Sequence, residues 1–211
     1  MTSQPRVRWQ QRHVVDVRDA AFAARTYYEQ RDLRGLLTSQ LSSVSLAAAC
    51  EFGAGFGRMT PILAEFAPVV TGFEREPEFV AEATSLYPHI SFVPVASLDQ
   101  VPAVDAAFDL ALTFTVLQHL IEPVVQSVAR ELNRVLRPGG YLLLCEETDP
   151  TLRQGDLSDP NGMSVVGRTI DHHRQLFAGY DVLCTRPRRI EPTYTRRDVG
   201  TYMLFKKPSK G

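Results

Sequence analysis

Cys50-Glu51-Phe52-Gly53-Ala54-Gly55-Phe56-Gly57 is the stretch on which the fold of this chain turns. It closes a short apolar run, 46–52, that reads as a buried parallel strand, and it opens a helical pattern, 58–66. Pro61 falls in that helix's first turn, where its missing amide hydrogen costs nothing. A glycine-rich turn between strand and helix is where an α/β sheet seats a ligand against a helix amino terminus. Without a Cβ, the backbone can take positive φ and approach a ligand closely. A dinucleotide fingerprint needs its third glycine at position 58, which is Arg58; the glycines here fall at every second residue instead.

Outward from this turn, strand and helix patterns alternate. Strands are predicted over 69–73, 90–95, 108–114 and 141–145. Between them lie a helix over 76–86 and a helix opened by Pro123 that carries Val124, Val125, Val128, Leu132 and Val135 and stops at Pro138-Gly139-Gly140. Before the first strand, Phe22, Tyr27, Leu33, Leu36, Leu37 and Leu41 mark one or two amphipathic helices over 19–41. Beyond Glu147 the texture changes: Asp149-Pro150, Gly155 and Asp159-Pro160-Asn161-Gly162 define a loop to Ser164, either a lid or a disordered segment. A helix over 171–178 with Asp171 as its N-cap follows, then strands over 181–185 and 200–206 that can pair antiparallel. The expected architecture is a Rossmann-like α/β fold: seven strands, mostly parallel with an antiparallel last strand, and helices on both faces. A helical cap over 1–45 joins the domain over 46–211 as one globular unit.

At 211 residues, 44% hydrophobic, with a formal net charge of -1, the chain reads as one globular domain and lacks the basic excess of a nucleic-acid binder. The arginine-bearing segment 1–18 is not followed by an apolar signal core, and no apolar run is long enough to span a bilayer, so a cytoplasmic location away from membranes is expected. Cys50, Cys145 and Cys184 are odd in number and sit in apolar runs, which reads as buried free thiols. Neither a bound metal nor a thiol nucleophile is expected.

The alternating glycines after an acid, Glu51, Gly53, Gly55 and Gly57, resemble motif I of class I S-adenosylmethionine-dependent methyltransferases. The likeness continues through Thr71-Gly72-Phe73-Glu74, through Phe108–Leu112 with Val116-Leu117-Gln118-His119-Leu120, and through the turn Leu136–Leu144. By this resemblance the cofactor is S-adenosyl-L-methionine, leaving as S-adenosyl-L-homocysteine. The binding set it implies is Glu51, Gly53, Gly55, Gly57, Glu74, Ser97, Leu98 and Thr115, with Glu74 on the ribose hydroxyls, where an ionised carboxylate can accept both hydrogens of a vicinal diol. The chain departs from the pattern after the third strand: in Val95-Ala96-Ser97-Leu98 no acid faces the adenine amino group, which leaves the Ser97 hydroxyl, Asp99 or the backbone.

Methyl transfer from a sulfonium is an in-line displacement in which the protein mainly supplies alignment. Candidates for proton transfer are His119, His172 and Glu147, with Glu146 and His173 beside them; a packing or capping role competes for each. Tyr27 and Tyr28 either close over the site or only pack. Arg186, Arg188, Arg189, Arg196 and Arg197 form a basic patch that either steers an anionic acceptor or is a solvated loop. The segment Phe114-Thr115-Val116-Leu117 lacks both the proline-rich signature of nucleobase and glutamine amino-methyltransferases and the acidic ligands of magnesium-dependent enzymes. The expected function is transfer of methyl to oxygen or nitrogen, less readily carbon, of a small-molecule acceptor. The alternatives are a protein or RNA methyltransferase, a catalytically silent cofactor-binding subunit, and a nicotinamide dehydrogenase disfavoured by Arg58.

Overall fold

The computed structural model describes residues 20–155, 164–189 and 200–209. The expectations for segment 1–18, for Asp159-Pro160-Asn161-Gly162, and for Arg196 and Arg197 fall outside these residues, as does that for the Phe22 side chain. The elements run α1 (Ala20–Leu41), β1 (Ala48–Phe52), α2 (Thr60–Leu63), β2 (Val69–Glu74), α3 (Pro77–Leu86), β3 (Ser91–Pro94), β4 (Phe108–Phe114), a 3-10 turn (Leu117–His119), α4 (Glu122–Val135), β5 (Leu136–Glu146), β6 (Arg153–Gln154), β7 (Val165–Val166), α5 (Ile170–Leu176), β8 (Asp181–Pro187) and β9 (Thr201–Lys206).

Seven strands make one sheet in the order β3-β2-β1-β4-β5-β9-β8. The first five run parallel, and β9 lies antiparallel to both β5 and β8. Central β4 is buried at all seven positions because helices cover both faces. Its residues alternate between two cores, as period-2 geometry requires. Leu110, Leu112 and Phe114 join Leu33, Leu36, Leu37 and Leu41 of α1 on one face and Ala111 joins Val128, Leu132 and Val135 of α4 on the other; Phe108, before the register shift at the strand's start, breaks the alternation and joins the α4 side. The leucines of α1 recur at three- and four-residue steps, so one stripe of a single helix supplies that contact. Tyr27, read from the sequence as part of this stripe, is exposed.

Several boundaries differ from the expectations. The helix after the glycine turn is a single turn, Thr60–Leu63, because Glu65 and Phe66 close back on Ile62 and Leu63 in tighter bonds. The fifth strand starts at Leu136 and carries Pro138-Gly139-Gly140 as an irregularity opposite Phe108 and Leu110. A side chain at Gly140 would meet the Arg137 carbonyl at 2.8 Å, so the close approach there requires glycine. The N-cap of α5 is Thr169, whose hydroxyl accepts from the His172 amide, and not Asp171, which lies in the helix's first turn. Within the expected loop, β6 pairs with β7 in a small antiparallel ribbon.

Asp109 ties the entrances of three strands together. Its Oδ2 accepts from the Ala47 and Ala48 amides at 2.6 and 2.8 Å, and its other oxygen pairs with Arg137. In Asp109→Ala the two amides that lead into β1 lose a charged, buried acceptor. Unfolding free energy from urea titration should fall by about 2–4 kcal/mol with the slope unchanged; a change under about 0.5 kcal/mol would show that the tie contributes nothing.

Candidate functional site

The strand order reverses between β1 and β4, and such a switch point opens a crevice at the carboxyl ends of the strands. The glycine turn lines it. After Phe52 the chain folds across the end of β2, with the Gly53 and Ala54 amides donating to the Phe73 carbonyl at 2.8 and 3.0 Å. Gly53 has φ 73°, and a Cβ there would lie 2.6 Å from the Val116 side chain at the exit of β4. Gly55 has φ 55°, but its missing Cβ would meet nothing within 4 Å. Gly53 is thus small because protein presses on it, whereas Gly55 opens onto space that a ligand can fill. Gly57, at φ 74°, backs onto the Phe92 ring.

Glu74, the last residue of β2, reaches across to this turn. Its Oε2 accepts from the Gly55 amide at 2.7 Å, and Oε1 accepts from the Arg75 and Glu76 amides at 2.7 and 2.9 Å. Burial raises its pKa above the ordinary carboxylate value, against those amides. A carboxylate has about four acceptor positions, so Glu74 keeps capacity for a further donor while the amides hold it in place. Glu51, at the end of β1, is deeper. It accepts from the Thr60 hydroxyl at 2.6 Å, and burial pushes its pKa up to about 8 despite that bond and nearby Arg58. Ser97 and Leu98 are half-buried beyond β3, and Leu98 packs against the core that holds Phe73.

Thr115 leaves β4 at φ 58°, a left-handed conformation that costs a non-glycine residue about 1–3 kcal/mol. Two sets of bonds hold it there: its amide donates to the Cys145 carbonyl at 2.8 Å, and the fully buried Glu146 carboxylate accepts from the Thr113 hydroxyl and the Val116 and Gln118 amides. Glu146 is therefore engaged in shaping the turn. Burial raises its pKa. Glu147, one residue on, accepts from the Asp149 amide at 2.9 Å, and its own amide donates to Gln118 Oε1.

The three histidines differ. His119 has Nδ1 2.6 Å from the Ser164 carbonyl, which places the proton of the neutral ring on Nδ1 and leaves Nε2 as the acceptor, 3.3 Å from the Gln118 amide nitrogen. His172 Nε2 lies 3.2 Å from Glu122, out of line for a hydrogen bond, in a cleft shared with Arg168. His173 is buried against the Thr169 carbonyl, and desolvation lowers its pKa to about 4, so it stays neutral. Tyr27 and Tyr28 meet edge to face on α1.

An ionic cluster that sequence spacing did not bring together lies where α1 meets the sheet. Glu29, fully buried, accepts from Arg25 at 2.9 Å through Oε1 and from Arg58 through Oε2, and Arg188 Nη1 stands 3.2 Å from Oε1. The Arg58 and Arg188 guanidinium groups lie over the Phe114 ring at 5.8 and 5.3 Å. Burial alone would raise the Glu29 pKa; Arg58, Arg188 and Arg25 together outweigh it and hold the group below the usual value. Beside it, Asp32 pairs with Arg186 at 2.9 Å and accepts from the Arg189 amide. The only local signal in the sequence was the four-residue spacing of Arg25 and Glu29.

A protein family described as a methyltransferase domain matches residues 50–144. A "probable S-adenosylmethionine-dependent methyltransferase" of Mycolicibacterium smegmatis is 30% identical over 105 residues, which are 50% of this chain and 40% of that protein. The chain thus spans less than half the length of that relative. Among solved structures, a SAM-dependent methyltransferase of Methanosarcina mazei superposes with TM-score 0.68 at 17% identity, covering 82% of this chain and 97% of its own. A protein of Pyrococcus horikoshii superposes with TM-score 0.71 at 12% identity over 95% and 98% of the two chains. These structural likenesses concern the fold.

The raised pKa of Glu51 carries a pH signature. A carboxyl that holds its proton up to about pH 8 when folded, but only to an ordinary carboxylate pKa when unfolded, contributes stability that is complete at low pH and is lost as pH rises through 8. Wild-type unfolding free energy should therefore fall relative to Glu51→Gln between pH 5 and 9, by up to about 1.4 kcal/mol per pH unit. Parallel denaturation profiles would show that Glu51 is ionised throughout.

Proposed function

We propose that this protein, whose residues 50–144 match a methyltransferase domain with the Rossmann-like fold and whose relatives use S-adenosylmethionine, transfers a methyl group from that cofactor to an oxygen or nitrogen of a small-molecule acceptor. The observation that carries the reading is the pairing of Glu74 with the Gly55 amide beside open space, at the switch point of the sheet. The residues fit the cofactor. Gly55 lets the main chain lie close to the aminoacyl and sugar portions while Gly53 and Gly57 let the turn pack on Val116 and Phe92, Glu74 keeps an acceptor position for the ribose, and Ser97 and Leu98 border the adenine end. Thr115 bounds the methionine portion at the exit of β4. Glu51, buried below the turn, offers an ionisable oxygen to a cation.

When bound, the cofactor supplies an electrophilic methyl on a sulfonium, and the chain's own task is to align the acceptor and take up a proton. Alignment is worth the most, roughly 7–11 kcal/mol, and a positioned base about 100- to 10,000-fold. We assign the base to His119: its Nδ1 is engaged by the Ser164 carbonyl, so Nε2, beside the Gln118 side-chain amide, is the ring's acceptor atom and the one to receive a proton from a hydroxyl or ammonium nucleophile. The same bond stabilises the imidazolium that results. Glu147 is engaged by the Asp149 amide, and His172 lies in a separate cleft with Glu122 and Arg168, so neither is assigned the base. A net charge of -1 favours a small acceptor over RNA.

Calorimetric titration with S-adenosylhomocysteine should show saturable binding, and Glu74→Gln should weaken it about 10- to 100-fold, since the amide presents one acceptor where the carboxylate presents two. Equal affinity of the two proteins would remove the central observation. On a panel of hydroxyl and amine metabolites with radiolabelled cofactor, His119→Ala should lower turnover about 100-fold or more with cofactor affinity unchanged. Undiminished turnover would take the base away from His119.

A further inference from the structure

Building on the methyltransferase reading, we infer that Arg188 forms an anion-binding subsite of the acceptor pocket and that the acceptor bears a carboxylate. Arg188 follows β8 and is only 5% exposed, yet among the described residues its Nε and Nη1 have no hydrogen-bond partner. Glu29 pairs with it in charge, Arg188 Nη1 standing 3.2 Å from Oε1, but the contact lacks hydrogen-bond geometry, and Glu29 already accepts from Arg25 and Arg58. A buried guanidinium with idle donors is costly and is stabilised by an oxyanion that accepts from them.

The position suits an acceptor. The guanidinium lies over the Phe114 ring, one residue before Thr115 at the exit of β4, and the Arg188 amide bonds to the Gly200 carbonyl where β9 begins. Arg188 therefore stands at the carboxyl edge of the sheet, on the α1 face and on the β5 and β9 side of the switch point. Glu74 and the glycine turn occupy the other side. In the same wall the hydroxyl of Tyr202, fully buried and 6.3 Å ring to ring from Phe114, also lacks a hydrogen-bond partner among the described residues and can donate to the same anion. A carboxylate is the matching anion because Glu29 shows one already accommodated among these guanidinium groups. Its planar pair of oxygens suits the fork, and the aromatic rings beside it favour an acceptor with a flat apolar body.

Benzoate and benzamide are matched probes that differ in charge. With protein saturated by S-adenosylhomocysteine, saturation-transfer NMR should detect benzoate and not benzamide. Arg188→Gln should weaken benzoate at least tenfold, while Arg188→Lys, which keeps the charge but not the fork, should fall between. Affinity for S-adenosylhomocysteine should stay within twofold in both variants, which also reports that they are folded. Three results overturn the inference: equal binding of the two probes, benzoate affinity unchanged in Arg188→Gln, or a tenfold loss of S-adenosylhomocysteine in that variant, which would assign Arg188 to the cofactor's own carboxylate. Failure of the parent reading looks different: wild-type protein would bind no S-adenosylhomocysteine, and the benzoate and benzamide comparison would still decide the subsite on the protein alone.

Discussion

The main-chain turn after β1 is pinned by its own amides to the carbonyl that ends β2, and the site depends on this constraint. Two bonds to Phe73 from Gly53 and Ala54 fold the loop down, and the Gly55 amide then meets Glu74. Folding it down is possible only because residue 53 carries no side chain to collide with Val116. The turn is thus specified from both sides of β1, by β2 through hydrogen bonds and by β4 through contact. The crevice is preorganised before any ligand arrives, so binding has little ordering entropy to overcome.

Much of this was legible in the chain itself. Period located the strands because each is a short apolar run, the first of them closed by the glycine turn, and central β4 came out residue for residue. The acid at the end of β2 was legible only through its place in the order of elements, since a glutamate flanked by Arg75 and Glu76 is locally indistinguishable from a solvated one. What failed was local geometry decided by packing. The helix after the glycine turn shrinks to one turn, and the capping role falls to Thr169 rather than Asp171, because a cap depends on which residue holds extended backbone when the chain enters the helix.

The α1 interface was illegible for a different reason. Its leucine stripe announces a buried helix, but nothing in the spacing of Glu29, Arg58 and Arg188 joins residues so far apart in sequence. The arginine run from residue 186 was open to a solvated reading; the fold instead commits Arg186 to Asp32 and buries Arg188. Burying several guanidinium groups around one carboxylate is poor design for stability alone, because their desolvation competes with the attraction. Glu29 nevertheless stays below its ordinary pKa, so the arginines win that competition and the group remains ionised.

The carboxyl edge of the sheet therefore carries two electrostatic regimes within one crevice. On the β1 and β2 side, Glu51 and Glu74 are buried acids with raised pKa values, and any cation placed near them relieves the desolvation that raised them. Near Phe114 on the α1 face, a buried guanidinium with idle donors calls for an anion. A sulfonium nucleoside and an acidic acceptor would each be drawn to a different end, so the field orients the two reactants before any contact is made. In a displacement whose rate rests mainly on alignment, that division of charge places catalytic advantage in groups that never touch the transferred methyl.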